Sequence, residues 1–216
     1  MAGIPQVITE DRASGAQFVD GSLKFDYSKL QYLNRTPSTA GNRGRWTWSC
    51  WCKRGEKIGD SNGAALFAAY SNNNDRDVIR YGGTATDSLD VQLRDGTNRG
   101  IYTTSKFRDT GWYHNVVTYD STVGVKIYVN GVEQPKSNAS GGNATLQSQI
   151  NNNVDQYIGA RKSGGNIEVG WDGYMGQVYF IDGLELGPSY FAFTDPLTGT
   201  WRPKKFRAEG TTVNNG

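Results

Sequence analysis

The most regular alternation of apolar and polar residues lies between Trp112 and Gln134. Across residues 124–129, valine and isoleucine occupy every second position. This period of two places one face of a strand on a core and the other toward solvent. Asn130-Gly131 then interrupts the run, and Asn-Gly favours the positive φ angles of a two-residue type I′ turn. The pattern predicts a β-hairpin in which Val132 to Gln134 folds back on the preceding strand.

The same period recurs in short stretches along the rest of the chain, and no stretch shows a convincing helical period. Leu89, Val91 and Leu93 alternate with polar residues before an Asp95-Gly96 turn. The stretch 46–52 is apolar on both faces, with Trp51 opposite the others, which predicts a strand at the centre of its sheet. Further strands are predicted at 23–26, 32–33, 64–70, 78–81, 101–107, 112–120, 157–161 and 173–181.

Polar stretches rich in glycine, serine and asparagine separate these strands, and they predict surface loops at 36–45, 53–63, 136–154 and 162–170. The Asn- and Asp-rich stretch 71–77 has two interpretations. Such side chains bend the chain by bonding nearby backbone groups, and their oxygens also suit calcium. The spacing matches no known calcium loop, so the turn is favoured, calcium stays open, and no other cofactor is predicted.

Composition agrees with an all-β protein of one domain. The 216 residues include 28 glycines, 12 tyrosines and 6 tryptophans, which favours short strands, turns and aromatic packing. The 23 lysines and arginines nearly balance the 21 acidic residues, so no basic footprint for nucleic acid is expected. No apolar run has membrane-spanning length, and residues 1–6 do not resemble a secretion signal. We therefore expect neither a nucleic-acid nor a membrane partner, and synthesis in a cytoplasm.

The two cysteines and the single histidine are expected to be structural. Cys50 and Cys52 lie two apart on one predicted strand, a spacing that does not suit a disulfide within the chain. His114 is distant in sequence and has no neighbouring nucleophile or second ligand. A zinc site is therefore not expected.

Several of these motifs resemble one known domain family. The strand Trp112 to Asp120 followed by VKIYVNGVE, the stretch Asp20 to Phe25, and Trp171 to Val178 resemble laminin-G or concanavalin A-like domains. The resemblance covers roughly residues 18 to 186. It implies an all-β, two-sheet antiparallel jelly-roll sandwich with extended N- and C-terminal arms. The implied organisation is an arm at 1–17, a sandwich at 18–186 and an extension at 187–216.

A narrower resemblance concerns residues 35–43, 46–49 and 194–204. These stretches are similar to laminin-G-like proteins of marine bacteriophages of the cyanophage type. The resemblance implies a structural protein on the virion surface, made in the cytoplasm of a bacterial host and displayed on the capsid or tail as a decoration, fibre or adhesin. It implies other virion proteins as partners. Because virion components follow the symmetry of their attachment site, a homo-oligomer is also expected.

Both terminal segments have two interpretations. Residues 1–17 are polar and aperiodic, so they form either a frayed end or an arm that orders on a neighbouring subunit. The extension carries large aromatic residues that must be buried either on its own sandwich or on a partner. A partner is the favoured prediction, contacted through Tyr190, Phe191, Phe193 and Trp201.

An enzyme is not expected. Retaining glucanases of this fold carry a Glu-x-Asp-x-x-Glu pattern on one strand, and none of the six glutamates begins such a pattern. Glu168 and Asp172 come closest, but Gly170 and Trp171 are expected to turn the chain between them. No GxSxG motif or reactive-cysteine context is present either.

The alternative to a purely structural role is a carbohydrate-binding module. Such a module is either free or displayed on a virion, where it binds host surface polysaccharide. Sugar sites combine an exposed aromatic ring with Asn, Asp or Arg side chains that bond hydroxyl groups. Residues of these types near predicted loops are the glycan-binding candidates: Tyr70, Asn73, Asp75, Tyr81, Arg161, Trp171 and Asp172.

Overall fold

A computed structural model describes residues 17, 19, 21–55, 63–140 and 146–207. These residues form seventeen strands and the single-turn 3₁₀ helices Tyr27–Lys29 and Pro188–Tyr190. The strands up to the central hairpin are β1 (Leu23–Phe25), β2 (Leu33–Arg35), β3 (Arg45–Arg54), β4 (Ala64–Tyr70), β5 (Asp75–Tyr81), β6 (Leu89–Asp95), β7 (Thr97–Thr103), β8 (Trp112–Asp120), β9 (Gly124–Val129) and β10 (Val132–Glu133). The remaining strands are β11 (Lys136–Ser140), β12 (Asp155–Ile158), β13 (Arg161–Ser163), β14 (Asn166–Glu168), β15 (Gly173–Asp182), β16 (Ala192–Thr194) and β17 (Trp201–Pro203).

Two large sheets build the molecule. One has six strands in the order β1-β15-β3-β8-β9-β10, and the other has seven in the order β11-β7-β6-β5-β4-β12-β2. Their strand pairs are antiparallel. The pairs β13-β14 and β16-β17 form separate two-stranded sheets. The predicted all-β, two-sheet antiparallel sandwich of the jelly-roll type is confirmed.

The hydrophobic core fills the space between the two sheets. Trp46 and Trp48 of β3 are fully buried there, and Ile79 and Leu89 meet them from the seven-stranded sheet. In the six-stranded sheet β3 lies between β15 and β8, so its predicted central position is confirmed. Period-two burial along these strands leaves each sheet with a second, outer face.

The predicted hairpin is present. Asn130 and Gly131 have φ angles of 48° and 84°, as a type I′ turn requires, and Val132 pairs with Val129. Glycine is needed at 131 for a second reason: a Cβ atom there would lie 2.9 Å from the Trp201 ring. The turn thus provides the surface on which the Trp201 ring packs.

The prediction of an uninterrupted loop over 136–154 is wrong at its beginning, because β11 pairs with β7 at the edge of the seven-stranded sheet. An edge strand needs only backbone hydrogen bonds to its neighbour, so a Ser- and Asn-rich sequence can form one. Residues 141–145 lie outside the described part of the chain.

The segment 187–207, which we call the C-terminal cover, folds onto the outer face of the six-stranded sheet. Phe191 is 1% exposed, and its ring stacks on Tyr179 and Phe206 at 5.7 and 5.3 Å between centroids. Trp201 packs over His114. Of the two interpretations of the extension, burial on the chain's own sandwich is therefore the one observed for Phe191, and the description of the extension as an extended arm is wrong for this segment. Burial of aromatic surface against the chain's own sheet stabilises the folded-back arrangement.

Part of each predicted terminal segment lies outside the residues that the structure describes. Residues 1–16 of the predicted N-terminal arm and residues 208–216 of the predicted extension lie outside the described residues. The backbone N–H of Gln17 donates to the Pro203 carbonyl at 3.0 Å. Residue 17 therefore lies beside the C-terminal cover.

His114 joins this cover to the sheet. The Trp201 Nε1–H donates to His114 Nδ1 at 3.0 Å, and Nε2 lies 2.9 Å from Ser49 Oγ. Because an indole nitrogen can only donate, Nδ1 must be unprotonated and the ring neutral, with Nε2–H donating to Ser49. Burial agrees with this state, since it lowers the pKa of His114 to about 3. The structural role expected for the histidine is the one observed.

The cysteines are also structural. Cys50 and Cys52 are free and fully buried in the core. Burial raises the pKa of Cys52 to about 12, so the reactive thiolate is disfavoured.

Candidate functional site

The structure brings together four of the seven residues predicted to bind a glycan. Tyr70 ends β4, and Asn73 lies in the turn leading to Asp75, the first residue of β5. The Tyr70 hydroxyl donates to Asn73 Oδ1 at 3.3 Å, and the same oxygen accepts the Gly164 N–H at 2.7 Å. Gly164 connects β13 to β14, and Arg161 begins β13, so these residues border one hairpin.

The turn itself is closed by its own hydrogen bonds. Asn72 Oδ1 accepts the backbone N–H groups of Asn74 and Asp75 at 2.8 and 3.1 Å, and Asn72 Nδ2 donates to Asp75 Oδ2 at 2.8 Å. The side chains therefore bend the chain, as the favoured interpretation of this stretch predicts. Calcium binding stays a prediction that these contacts do not require.

The other three predicted glycan-binding residues lie elsewhere. Tyr81 and Trp171 are fully buried in the core with ring centroids 6.0 Å apart, and the Tyr81 hydroxyl donates to Asn115 at 2.8 Å. Neither ring can stack on a sugar, so both assignments are wrong. Asp172 accepts the Gly55 N–H through its backbone carbonyl at the end of β3.

The hairpin β13-β14 lies over the outer face of the seven-stranded sheet. Val169, just after β14, packs against Ala68 and Val78, and its carbonyl accepts the Ala65 N–H at 3.1 Å. Beyond the hairpin, the outer positions of β5 and β6 carry long polar side chains. Arg76 lies directly opposite Arg94 in the antiparallel register.

We call this surface the arginine face, formed by Arg76, Gln92 and Arg94 of the sheet with Arg161 of the hairpin. Arg76 Nη1 donates to Ser163 Oγ at 2.7 Å, which joins the sheet to the hairpin. Gln92 Nε2 donates to Asn98 Oδ1 at 2.7 Å. Each contact holds one end of a side chain in place.

The arginine face contains buried polar atoms that lack partners. Among the described residues, four of its buried side-chain atoms make no hydrogen bond: Nε of Arg76, Arg94 and Arg161, and Oε1 of Gln92. Leaving a buried donor or acceptor unsatisfied costs roughly 1–3 kcal/mol. Neighbouring groups shield each of these atoms from solvent, so a ligand that supplies the missing bonds must displace the groups that cover them.

The charges of this face are also uneven. Arg80 pairs with Asp90 at 3.0 Å, and Arg161 pairs with Glu168 at 3.6 Å. Arg76 and Arg94 have no carboxylate within 4 Å among the described residues.

The pKa values report the same imbalance. Burial, followed by the positive charge of Arg94, lowers the pKa of Arg76. Burial and, to a smaller extent, the positive charges of Arg80 and Arg76 lower the pKa of Arg161 to about 10. The guanidinium groups stay charged at neutral pH in an environment that opposes their charge.

A separate cleft of about 490 Å³ opens beside β2. Phe67, Ile158 and Phe180 form much of its wall. Its carboxylate, Asp182, already accepts bonds from the Asn42 N–H at 2.8 Å and from Asn151 Nδ2 at 2.6 Å. This cleft therefore offers a ligand a largely apolar wall to which Asn34, Arg35 and the unpartnered Oε1 of Gln156 add polar groups.

The described residues contain no group of three or more His, Cys, Asp or Glu side chains placed to hold a metal ion. No helix among them has the length and apolar character needed to cross a membrane.

Sequence reasoning missed Arg76, Gln92 and Arg94. The signal was present, because Gln92 and Arg94 occupy the polar positions of the alternation at Leu89, Val91 and Leu93. What the sequence could not show is the register that places Arg76 opposite Arg94, or the hairpin that lies over them.

A family model described as the concanavalin A-like lectin/glucanases superfamily matches residues 9–184. No curated protein sequence matches the chain significantly.

Three solved structures have a similar fold. One is the CBM40 of the Ruminococcus gnavus IT-sialidase bound to α2,3-sialyllactose, with 11% identity over 76% of this chain and 92% of that one and a TM-score of 0.54. Another is domain 4 of AbnA, a GH43 extracellular arabinanase from Geobacillus stearothermophilus, in complex with arabinotriose; it has 16% identity over 78% of this chain and 75% of that one and a TM-score of 0.53.

The third is a putative carbohydrate binding protein from Bacteroides ovatus, with 20% identity and a TM-score of 0.50. The match covers 69% of this chain and 40% of that one. At these low identities, the similarities show a shared fold alone.

Proposed function

Because this chain belongs to the concanavalin A-like lectin/glucanases superfamily, we propose that it is a non-catalytic carbohydrate-binding module and that the arginine face binds the glycan. The observation that carries the proposal is the set of buried, unpartnered polar atoms on that face, with both donors (Arg76, Arg94 and Arg161 Nε) and an acceptor (Gln92 Oε1). A sugar hydroxyl both donates and accepts, so it can satisfy either kind of atom.

The surrounding residues suit a sugar in other ways. Tyr102 lies opposite Asp90 on the same outer face and is half-exposed, so its ring offers a surface for the apolar side of a pyranose. The hairpin holds Arg161 and Ser163 above the sheet, so a ligand meets groups from two directions. Asn73, whose oxygen is already held by Tyr70 and Gly164, supports the hairpin.

The fold similarities support this choice of ligand class. Two of the similar structures are complexes with oligosaccharides, sialyllactose and arabinotriose, and a third is a putative carbohydrate binding protein. These ligands belong to those proteins. They favour a saccharide over other polar ligands for this chain but do not identify it.

We also propose the setting in which the module acts. The module is a structural component of a virion surface, and the resemblance of residues 35–43, 46–49 and 194–204 to marine phage proteins supports this setting. There it forms an oligomer, contacts other virion proteins and binds host polysaccharide. A free carbohydrate-binding module is the alternative.

Binding of the purified chain to a glycan array tests the molecular function. We expect binding to a subset of oligosaccharides, and loss of that binding in the double variant Arg76→Gln/Gln92→Ala. Val132→Ala, on the exposed β10 of the other sheet, is the matched control and should bind normally. Absence of binding to every glycan, or binding that the double variant retains, would overturn the proposal.

Quantitative mass spectrometry of purified virions tests the setting. A copy number near that of the major capsid protein indicates a shell decoration, and a small fraction of it indicates a tail or fibre. Absence from the particle would leave the free module as the better account.

A further inference from the structure

We propose that the arginine face selects acidic sugars, and that the carboxylate of a uronic or nonulosonic acid residue lies between Arg76 and Arg94. This inference rests on the proposed function, because it specifies the ligand class of the same site.

The first argument is the cost of the arrangement without a ligand. Arg76 and Arg94 are direct cross-strand partners, and like charges placed opposite each other in a sheet are destabilising. Neither has a carboxylate within 4 Å among the described residues. An anion between them would convert a repulsive pair into an attractive site.

The second argument is hydrogen-bond geometry. One Nη group of each arginine donates to a residue of the chain: Arg76 Nη1 to Ser163 at 2.7 Å and Arg94 Nη2 to Asn74 at 3.4 Å. Their Nε–H groups are buried and unpartnered. A carboxylate has two oxygens and can accept one bond from each arginine, whereas one neutral hydroxyl brings a single oxygen. Bonds of this charge-assisted kind are about twice as strong as neutral ones.

The third argument concerns the acidic residues nearby. Asp90 Oδ2 accepts from Arg80 Nε and Nη2 and from the Thr84 N–H and hydroxyl. Glu168 is half-exposed and lies 3.6 Å from Arg161. Each carboxylate pairs with another arginine, while Asp90 Oδ1 keeps no partner and the charge of Glu168 also opposes the burial that lowers the pKa of Arg76. The excess positive charge falls on Arg76 and Arg94, where the ligand carboxylate is placed.

Pairs of oligosaccharides that carry or lack carboxylates test the inference by isothermal titration calorimetry. The pairs are oligogalacturonate with its methyl ester, and 3′-sialyllactose with lactose. We expect at least one acidic member to bind about tenfold or more tightly than its neutral partner, as one additional charge-assisted hydrogen bond allows. That affinity should fall as sodium chloride is raised from 50 to 500 mM.

Two variants locate the effect. Arg94→Gln should lower the affinity for the acidic member about tenfold or more and lower the affinity for the neutral member by clearly less, since only the acidic member loses a charge-assisted bond. Arg94→Lys, which retains the charge without the planar donor fork, should lose part of the affinity. Arg207→Gln removes the same charge from an exposed position in the C-terminal cover and should bind as the unaltered chain does. Thermal melts of each variant confirm folding.

The outcomes separate the two proposals. Equal binding of the acidic and neutral members overturns the selectivity while the carbohydrate-binding function stands. Acid-selective binding that Arg94→Gln retains also overturns it, because the carboxylate would then lie elsewhere. Failure of every oligosaccharide to bind overturns the proposed function itself.

Discussion

The two outer faces of the sandwich differ in how completely the chain covers them. On the six-stranded sheet the C-terminal cover buries Phe191 and supplies Trp201 to His114, so the imidazole has a partner at both nitrogens. On the outer face of the seven-stranded sheet, five buried side-chain atoms of the described residues have no hydrogen-bond partner: Nε of Arg76, Arg94 and Arg161, Oδ1 of Asp90 and Oε1 of Gln92.

The difference separates stability from recognition. The covered face contributes free energy to folding by burying aromatic rings and pairing both nitrogens of His114, although Trp51 Nε1 is buried there without a partner. A face that keeps unpaired donors and like charges together reduces stability, which is the expected condition of a preformed binding site. One sandwich thus uses its two outer surfaces for opposite purposes.

The largest effect is expected from Phe191→Ala. Phe191 is buried between Tyr179 and Phe206, and removing a buried phenylalanine ring costs about 3–5 kcal/mol of unfolding free energy. Urea denaturation followed by tryptophan fluorescence measures this loss. Leu197→Ala, at a residue of the same segment that is 78% exposed, is the control and should stay within about 0.5 kcal/mol.

An equally small loss of unfolding free energy in both variants would contradict the packing of the C-terminal cover on the six-stranded sheet. It would mean that the segment does not pack on its own sheet in solution. Phe191 and Trp201 would then be free to contact a partner, as the sequence interpretation favoured. Tyr190 and Phe193 are only half-buried, so a role for them at a partner stays a prediction in either case.

A smaller loss of unfolding free energy is expected when the pH is lowered. The folded-state pKa of His114 is lowered to about 3, below the ordinary value near 6.5. Because the unfolded chain binds the proton first, this contribution is fully present above pH 6.5 and decreases as the pH falls toward the folded-state pKa. From pH 6.5 to 4.5 the loss is about 2 kcal/mol.

NMR of the single histidine measures this directly. Its imidazole should stay neutral, with the proton on Nε2, down to about pH 4.5. An imidazole that titrates near pH 6.5 would contradict the buried contact with Trp201. Unfolding measurements alone would be less clear, because burial raises the pKa of Asp77 to about 6 and stabilises the folded state in the opposite direction as the pH falls below 6.

The smallest effect is expected on the arginine face. Arg94→Gln should leave stability unchanged or raise it by up to about 1 kcal/mol, because it removes a like charge from directly opposite Arg76. Urea denaturation without glycan measures the change.

The matched control on the same face is Arg80→Gln. It leaves the buried Asp90 carboxylate without its partner and should cost about 3–5 kcal/mol. A loss of similar size in Arg94→Gln would show that Arg94 is a structural residue and would remove the contrast between the two faces.

The sequence was most informative where one face of a strand is buried. Alternation and an Asn-Gly turn correctly predicted the β9-β10 hairpin, and the doubly apolar stretch at Trp46–Cys52 correctly predicted a central strand. These features depend on local chemistry. The edge strand β11 depends on backbone pairing with β7 and leaves no side-chain pattern to recognise.

The candidate site was less predictable because it combines residues from distant segments. Arg161 was identified by type and position near a loop, whereas Trp171, chosen by the same criterion, is buried in the core. Only the register between β5 and β6 shows that Arg76 and Arg94 form a pair. Pairing of distant strands is a tertiary property that a single sequence does not specify.

The hydrogen bond from Gln17 to Pro203 has a consequence for how the module can be joined to anything larger. Residues 17 and 203 lie side by side, on the outer side of the six-stranded sheet. A polypeptide or particle connected through either segment would be tethered on that side. The arginine face would then point away from the tether, so crowding many copies side by side would leave it open to the surroundings.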